Sequence, residues 1–272
     1  MRRSRFVWLL AGVVALSLIA AACGGGDEPA VDAGQEPSIA TIEPGVLTVG
    51  SDIPYPPFEF RQSGTLVGLD IDLINEIASR LGLTTDIIDT DFDTIFSQLA
   101  TGTYDVVIAA STITPEREEQ VDFSDPYYAS QQSLTVASDS AITSTDDLTA
   151  EHRVGVQDGT TGEQWAEENL DGPEIVAYPE GPDGYTALEA GQVDAVINDE
   201  PTAIAEVANR EGLELVEAID TGEFYGIAVD PNNPDLLAAV NEALAAIIAD
   251  GTYEAIYAKY TDLPPGGNIA AA

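Results

Sequence analysis

Between residues 45 and 262, short apolar runs rich in β-branched residues alternate with stretches whose apolar positions recur every three to four residues. The first kind predicts strands at Val46–Gly50, Thr85–Asp89, Asp105–Ala109, Ser133–Ala137, Arg153–Val156, Glu174–Tyr178, Asp194–Ile197, Leu213–Val216 and Phe224–Val229. The second predicts helices at Leu69–Leu81, Phe92–Thr101, Thr161–Leu170, Gly184–Ala190 and Pro201–Glu211. This alternation predicts an α/β fold with mainly parallel strands. The C-terminus departs from it: Pro234–Asp250 and Thr252–Tyr260 read as two successive helices with Gly251 as a C-cap between them, and the PPGG after Leu263 ends the order. Helices beyond the last strand must pack on an existing layer, and the first half of the chain is the simplest place. The chain would then cross between two α/β lobes twice, near Gln131–Ala137 and near Glu223–Val229. Two crossings make a hinge, and a cleft between hinged lobes is a place to trap a small ligand.

The N-terminus reads as an address. Met1 to Arg5 is basic, and Phe6–Ala22 is an uncharged apolar run. The run is shorter than the roughly 20 residues a spanning helix prefers and sits where a secretory signal has its apolar core. Small residues lead directly into Cys23. The segment resembles a bacterial lipoprotein signal, which implies cleavage before Cys23 and lipidation on it. Ala20 stands where the usual box has Leu, with Ile19 one place further back. From Gly24 to about Pro44 the chain is rich in Gly, Pro and acid and reads as a flexible tether. The expected organisation is a signal over 1–22, lipidated Cys23 and tether over 23–44, and a first lobe from 45–132 plus 228–263. A second lobe then takes 133–227, and 264–272 is a disordered tail.

Composition narrows the function. Forty-eight acids against nine bases leave a net charge of −39, which excludes nucleic-acid binding and docking on anionic lipid through a basic patch. Beyond residue 5 the cations are Arg61, Arg80, Arg117, Arg153, Arg210 and Lys259. One Cys and one His exclude a His/Cys metal cluster, so no metal or other cofactor is expected. The runs Asp89–Asp91–Asp93 and Asp146–Asp147 read as solvated or helix-capping acids, since the first lacks the Gly and distal Glu of a calcium loop. His152 falls in a polar turn and reads as a surface residue.

Three stretches carry a resemblance. GLDIDLINEIASRL runs from Gly68 to Leu81. SDIPYPPFEF (Ser51 to Phe60) is followed downstream by IAASTITPERE (Ile108 to Glu118). VGVQDGTTGE (Val154 to Glu163) is followed by DAVINDEP (Asp194 to Pro201). Together they resemble the extracytoplasmic solute-binding proteins of ABC transporters, the polar amino acid family. The resemblance implies a two-lobed periplasmic-binding-protein-like fold of type II, with two hinge crossings and a ligand cleft. It also implies a non-enzymatic, monomeric binder that hands a polar L-amino acid to a membrane permease. The chain shows no Walker loop, so the permease and ATPase would be separate chains.

An α-amino acid is a zwitterion, so its pocket needs a cation and backbone donors for the carboxylate and an anion for the ammonium. Arg117, just after the Thr114–Pro115 helix start, offers a planar fork for a carboxylate. The plainer reading is an Arg solvated or paired with Glu118 or Glu119. By the resemblance, Thr112 gives carboxylate donors, Ala110 gives a backbone group, and Thr161 opens a helix whose free N–H groups suit an anion. N-capping is the plainer role for both threonines. Asp199, at the end of the strand DAVI, resembles the ammonium-binding Asp; alternatively it caps the next helix. Tyr55 and Phe92 resemble aromatic walls around the ligand side chain, or are ordinary core. Asp52, Gln157 and Asn198 fall where the family varies the contacts that choose the side chain, and neutral or acidic groups there favour Arg, Lys or His. Two other functions share the scaffold: a cyclohexadienyl dehydratase-like enzyme, which needs an acid such as Glu59 or Asp52 in the cleft, and a ligand sensor for a membrane receptor.

Overall fold

The structure is a computed structural model and describes residues 39–261. The leader, Cys23, most of the tether and the tail beyond 263 lie outside the described residues. In chain order the elements are β1 (Val46–Ser51), β2 (Phe60–Gln62), β3 (Thr65–Val67), α1 (Leu69–Arg80), β4 (Thr84–Asp89), α2 (Phe92–Ala100), β5 (Val106–Val107) and α3 (Pro115–Glu118). They continue with β6 (Asp122–Phe123), β7 (Tyr128–Ala137), β8 (Arg153–Gln157), α4 (Thr161–Asn169), β9 (Glu174–Tyr178), α5 (Gly181–Glu189), β10 (Ala195–Asp199) and α6 (Glu200–Asn209). β11 (Leu213–Tyr225), β12 (Ala228–Val229), α7 (Pro234–Ala249) and α8 (Thr252–Tyr260) complete the described chain.

Two five-stranded sheets organise these elements, in the orders β4-β1-β5-β12-β6 and β11-β7-β10-β8-β9. Within each, three strands run parallel: β4, β1 and β5 in the first, and β9, β8 and β10 in the second. The expectation of mainly parallel strands holds only for these cores. β12 pairs antiparallel with β5 and β6, and β7 lies antiparallel between β10 and β11. These strands arrive from the other sheet rather than through a βα crossover, so nothing forces them parallel. Both faces of each sheet carry a buried apolar cluster, which explains why the core strands read as continuous apolar runs.

The chain leaves the first sheet after Phe123 and enters the second at Tyr128, a few residues before Gln131–Ala137. It returns between Tyr225 and Ala228. β11 fuses the predicted strand Leu213–Val216 with the polar stretch up to Tyr225, through register shifts at Leu215/Glu217 and Ile219/Glu223. That stretch lacks an apolar pattern and is a strand only because β7 offers it a partner. On the other side, Phe224–Val229 is split between the two sheets. α7 and α8 place Leu236, Val240, Leu244, Ile247 and Tyr253 in one cluster with Leu47 and Val49 of β1 and with Leu73 and Ile77 of α1. Among the described residues no single helix is long and apolar enough to cross a membrane.

The first-sheet strand ends are held by a short loop, Tyr55 to Glu59, closed by backbone bonds from Tyr55 N–H to the Glu59 carbonyl and from Glu59 N–H to the Tyr55 carbonyl. Leu69 and Asp70, at the start of α1, donate to the carbonyls of Pro57 and Phe58. Gly68 makes this approach possible. Its φ is +141°, and a Cβ there would lie 1.8 Å from the Phe58 oxygen. The glycine that opens the signature motif therefore docks the Tyr55 loop against α1.

Candidate ligand cleft

Site residues gather at the carboxyl ends of the parallel strands, where ligands of open α/β sheets bind. Asp52 follows β1, Ala109–Thr112 follow β5, Gln157 ends β8 and Asp199 ends β10. Phe92 opens α2, Arg117 sits in α3, and Thr160 and Thr161 begin α4. A cavity of about 280 Å³ is lined by Asp52, Tyr55, Phe92, Ala109, Ala110, Thr112, Arg117, Gln157, Thr160, Thr161 and Asp199. Nine of the ten ligand-site residues expected from the sequence line it. The tenth, Asn198, lies behind the wall: its Oδ1 accepts from Tyr55 Oη at 2.6 Å and from the Asp199 N–H at 2.9 Å. It supports two lining residues and does not itself face the ligand space.

Arg117 is the cation that lines the cavity, and it is only 8 % exposed. Its Nη1 donates to the Thr112 carbonyl at 2.8 Å and its Nη2 to the Gly159 carbonyl at 3.2 Å. The guanidinium carbon stands 5.1 Å from the Phe92 ring centre and 4.8 Å from that of Phe96, within cation–π range. No carboxylate of the described residues pairs with it, Glu118 and Glu119 included. Burial lowers its pKa to about 10, countered by the more distant charges of Asp199 and Glu223.

Asp199 is the buried anion. Its Oδ1 accepts from Gln132 Nε2 at 2.5 Å, and its Oδ2 accepts from Tyr225 Oη at 2.5 Å and Tyr55 Oη at 2.9 Å. Asp199 occupies the N-cap position of α6, but its side chain makes no capping bond and turns to these three partners instead. Burial pushes its pKa up to about 7, reinforced by Glu223 and opposed by its three hydrogen bonds. Asp52 is pushed up to about 7 as well, by burial first; the Gln157 hydrogen bond at 2.6 Å opposes this, and Glu180, Asp89 and Asp91 add to it.

The capping readings are displaced by one or two residues. Thr160 and not Thr161 caps α4, accepting from the Glu163 N–H, and Thr114 and not Thr112 caps α3. The hydroxyls of Thr112 and Thr161 instead donate to Glu223. Ala110 holds φ +44°, and its N–H donates to Asp70 Oδ2 at 2.8 Å. That donor is spent inside the lobe, so the backbone group Ala110 can offer a ligand is its carbonyl. Tyr55 and Phe92 are both buried and cavity-lining, so the core and wall readings coincide.

Sequence reasoning missed Gln132, Tyr225 and Glu223. Gln132 and Glu223 lie in polar segments with no motif, and all three reach the site through the pairing of β7 with β11. Chemically, the arrangement offers one end with a guanidinium and the opening turn of α4, and another with Asp199 and the Ala110 carbonyl. Asp52 and Gln157 line the same cavity, joined by the hydrogen bond from Gln157 Nε2 to Asp52 Oδ2.

Residues 47–262 match the family model for bacterial extracellular solute-binding proteins, family 3. The chain is 33% identical over 260 residues to the probable histidine-binding protein of Neisseria gonorrhoeae, covering 93% of this chain and 94% of that protein. It is 34% identical over 226 residues to the L-cystine-binding protein TcyJ of Escherichia coli (strain K12), covering 80% and 83%. Among solved structures, an ancestral arginine-binding protein bound to glutamine superposes with a TM-score of 0.78 at 41% identity, over 80% of this chain and 99% of that one. With two α/β lobes around a cleft and a family match across nearly all of the described residues, the chain belongs to the bacterial extracellular solute-binding proteins, family 3.

Proposed function

We propose that the cleft captures a polar L-α-amino acid, with a cationic side chain favoured, and that closure of the two lobes presents it to a membrane permease. One observation carries this reading. A buried guanidinium and a buried carboxylate, Arg117 and Asp199, share one cavity and form no ion pair with each other. Buried charges cost several kcal/mol unless paired. A zwitterion pairs both at once, its carboxylate on Arg117 and its ammonium on Asp199. The side chain then lies between Tyr55 and Phe92 and reaches Asp52 and Gln157. No cation lines that end, and three further carboxylates act on Asp52 from around it. A cationic ligand side chain would relieve that repulsion. The names of the relatives span histidine, arginine and cystine, which agrees with a common α-amino-acid end and a variable side-chain end.

The protein so read is the extracytoplasmic part of an ABC importer, monomeric, tethered by lipid on Cys23 and served by a permease and an ATPase from other chains. Isothermal titration of the full chain with L-arginine, L-lysine, L-histidine, L-glutamine and L-glutamate tests the ligand class. Tighter binding of the cationic three is expected. Preference for L-glutamine keeps the binder and discards the cationic lean, and absence of heat with all five overturns the reading. The dehydratase alternative would use the protonated Asp52 as its acid. Incubation with prephenate or arogenate is expected to leave both unchanged.

A further inference from the structure

The connecting strand β11 brings to the cleft a carboxylate that belongs to no motif. Glu223 is 9 % exposed and lines a groove with Thr112, Thr161 and Trp165 at the edge of the ligand cavity. Its Oε2 accepts from Thr112 Oγ1 at 2.7 Å and from Thr161 Oγ1 at 2.9 Å. Its Oε1 accepts from Thr221 Oγ1 at 2.7 Å and from Gln132 Nε2 at 3.1 Å. Thr112 follows β5 of the first sheet, whereas Thr161 opens α4 of the second. A single oxygen on the hinge strand thus takes one hydroxyl from each lobe. Each hydroxyl has one proton, and both are committed to Glu223. The ligand carboxylate is left to Arg117 and to backbone N–H groups, whose placement depends on where the two threonines are held.

We propose that Glu223 is a positioning residue for ligand capture: it fastens Thr112 and Thr161 to the hinge strand and so sets the two halves of the carboxylate-binding edge in register as the lobes close. A purely structural role is the competing explanation, since Glu223 also ties β11 to Gln132 of β7. The two differ in coupling. If Glu223 acts by holding the two threonines, removing the Thr161 hydroxyl adds nothing once Glu223 is gone, whereas independent structural effects multiply.

The inference rests on the amino-acid reading for its probe, L-arginine. The experiment is a stopped-flow measurement of L-arginine dissociation from the full chain carrying Glu223→Ala, Thr161→Val, or both. Loss of a hydrogen bond to a charged group should speed release about tenfold in each single variant. The double variant should release no faster than Glu223→Ala alone. Glu223→Gln, which keeps an acceptor for the hydroxyls, should return the rate to within about threefold of wild type. Wild-type release from Glu223→Ala, a double variant whose effect is the product of the singles, or failure of Glu223→Gln to restore the rate would each overturn the proposal. A second readout needs no ligand: amide exchange over segments 110–118 and 158–164. Both segments should exchange faster in Glu223→Ala while 84–89 is unchanged; unchanged exchange in both overturns the proposal. Should the wild-type chain bind no L-amino acid, the ligand reading fails and this exchange measurement alone decides the role of Glu223. If Glu223→Ala does not fold, Thr112→Val and Thr161→Val carry the comparison: each should speed release about tenfold, and wild-type release from both overturns the proposal.

Discussion

The two lobes share one plan and hold their site residues by different means. Each has three parallel strands with the earliest in the middle, β4-β1-β5 and β9-β8-β10. In the first lobe the candidate ligand groups are fixed mostly from within, with one bond from Arg117 to the Gly159 carbonyl and one from Thr112 to Glu223 reaching across. Arg117 lies on the Phe92 and Phe96 rings and bonds the Thr112 carbonyl, and the Ala110 N–H is taken by Asp70, which also accepts from Tyr127 Oη at 2.7 Å. In the second lobe the groups are held partly by their own sheet and partly from across the cleft. Asp199 takes its hydrogen bonds from Tyr55 of the first lobe and from the connecting strands, and Gln157 donates across the cleft to Asp52. On the proposed reading the first lobe is the better preformed half of the site. Pre-organisation of one half lowers the ordering cost that a ligand must offset.

The strongest test of this contrast is truncation of the charges themselves. Arg117→Ala in the first lobe and Asp199→Ala in the second should each weaken L-arginine binding by about 2–5 kcal/mol, the cost of leaving a buried charge unpaired. Titration calorimetry reads both, and wild-type affinity in either variant removes that residue from the site. Thermal unfolding without ligand should separate them. Arg117→Ala should be the more destabilised, because it loses its stacking on Phe92 and Phe96 together with two backbone hydrogen bonds.

A smaller effect is expected where the lobes touch. Gly159 holds φ +73°, and a Cβ there would lie 2.9 Å from the Asp93 Cα across the cleft mouth. Gly159→Ala should weaken binding by about tenfold, because the Asp93 contact opposes approach of the lobes, while the backbone strain lowers stability with and without ligand. Retained affinity would show that the closed form tolerates a wider gap.

The pH response distinguishes the ligand site from the core. Burial holds Asp52 and Asp199 at about 7 and Asp70 at about 6, all above the ordinary carboxylate value. A raised carboxyl pKa means that the folded state binds protons more tightly than the unfolded state. The stability that these three groups contribute is then fully present below about pH 4 and is lost as pH rises through about 6 to 7. Ligand affinity runs the other way. An ammonium on Asp199 stabilises its ionised form and expels a proton, so L-arginine should bind more tightly at pH 8 than at pH 5. Melting curves and titrations across this range check both signs.

The smallest change sits behind the first half-site. Glu59 is fully buried, both its oxygens lack an N–H or O–H donor, and burial beside Asp70 pushes its pKa well up. Glu59→Gln removes the cost of protonating this group on folding. It should raise the melting temperature by a few degrees at pH 8, on the order of 1 kcal/mol, and leave it unchanged at pH 4.

Much of this protein was legible before folding. Apolar periodicity places α1, α2, α4 and α6 to α8 within a residue or two of their observed ends, because each buries one stripe against a sheet. β1, β8 and β9 were legible as short apolar runs, and β4 as a β-branched stretch around Ile87 and Ile88. The charged site residues were legible through motifs that bind backbone and side chain together, as Thr114–Pro115–Glu116–Arg117 does by capping the short helix that presents its own arginine. The hairpin of β2 and β3 was missed although Ser63–Gly64, both at positive φ, is a recognisable two-residue turn.

The sequence by itself determined the α/β class, and through the family resemblance it singled out Arg117 and Asp199 as the candidate charges for a zwitterion, since few cations remain beyond residue 5. Only the tertiary structure decided that Asn198 stands behind the wall, that the Ala110 N–H is spent on Asp70, and that Thr112 and Thr161 meet on Glu223. Those outcomes depend on strand register and on which distant group reaches a donor first. A bulge in β11 shifts which residues face β7. No spacing along the chain encodes that choice, because it is made between segments about ninety residues apart.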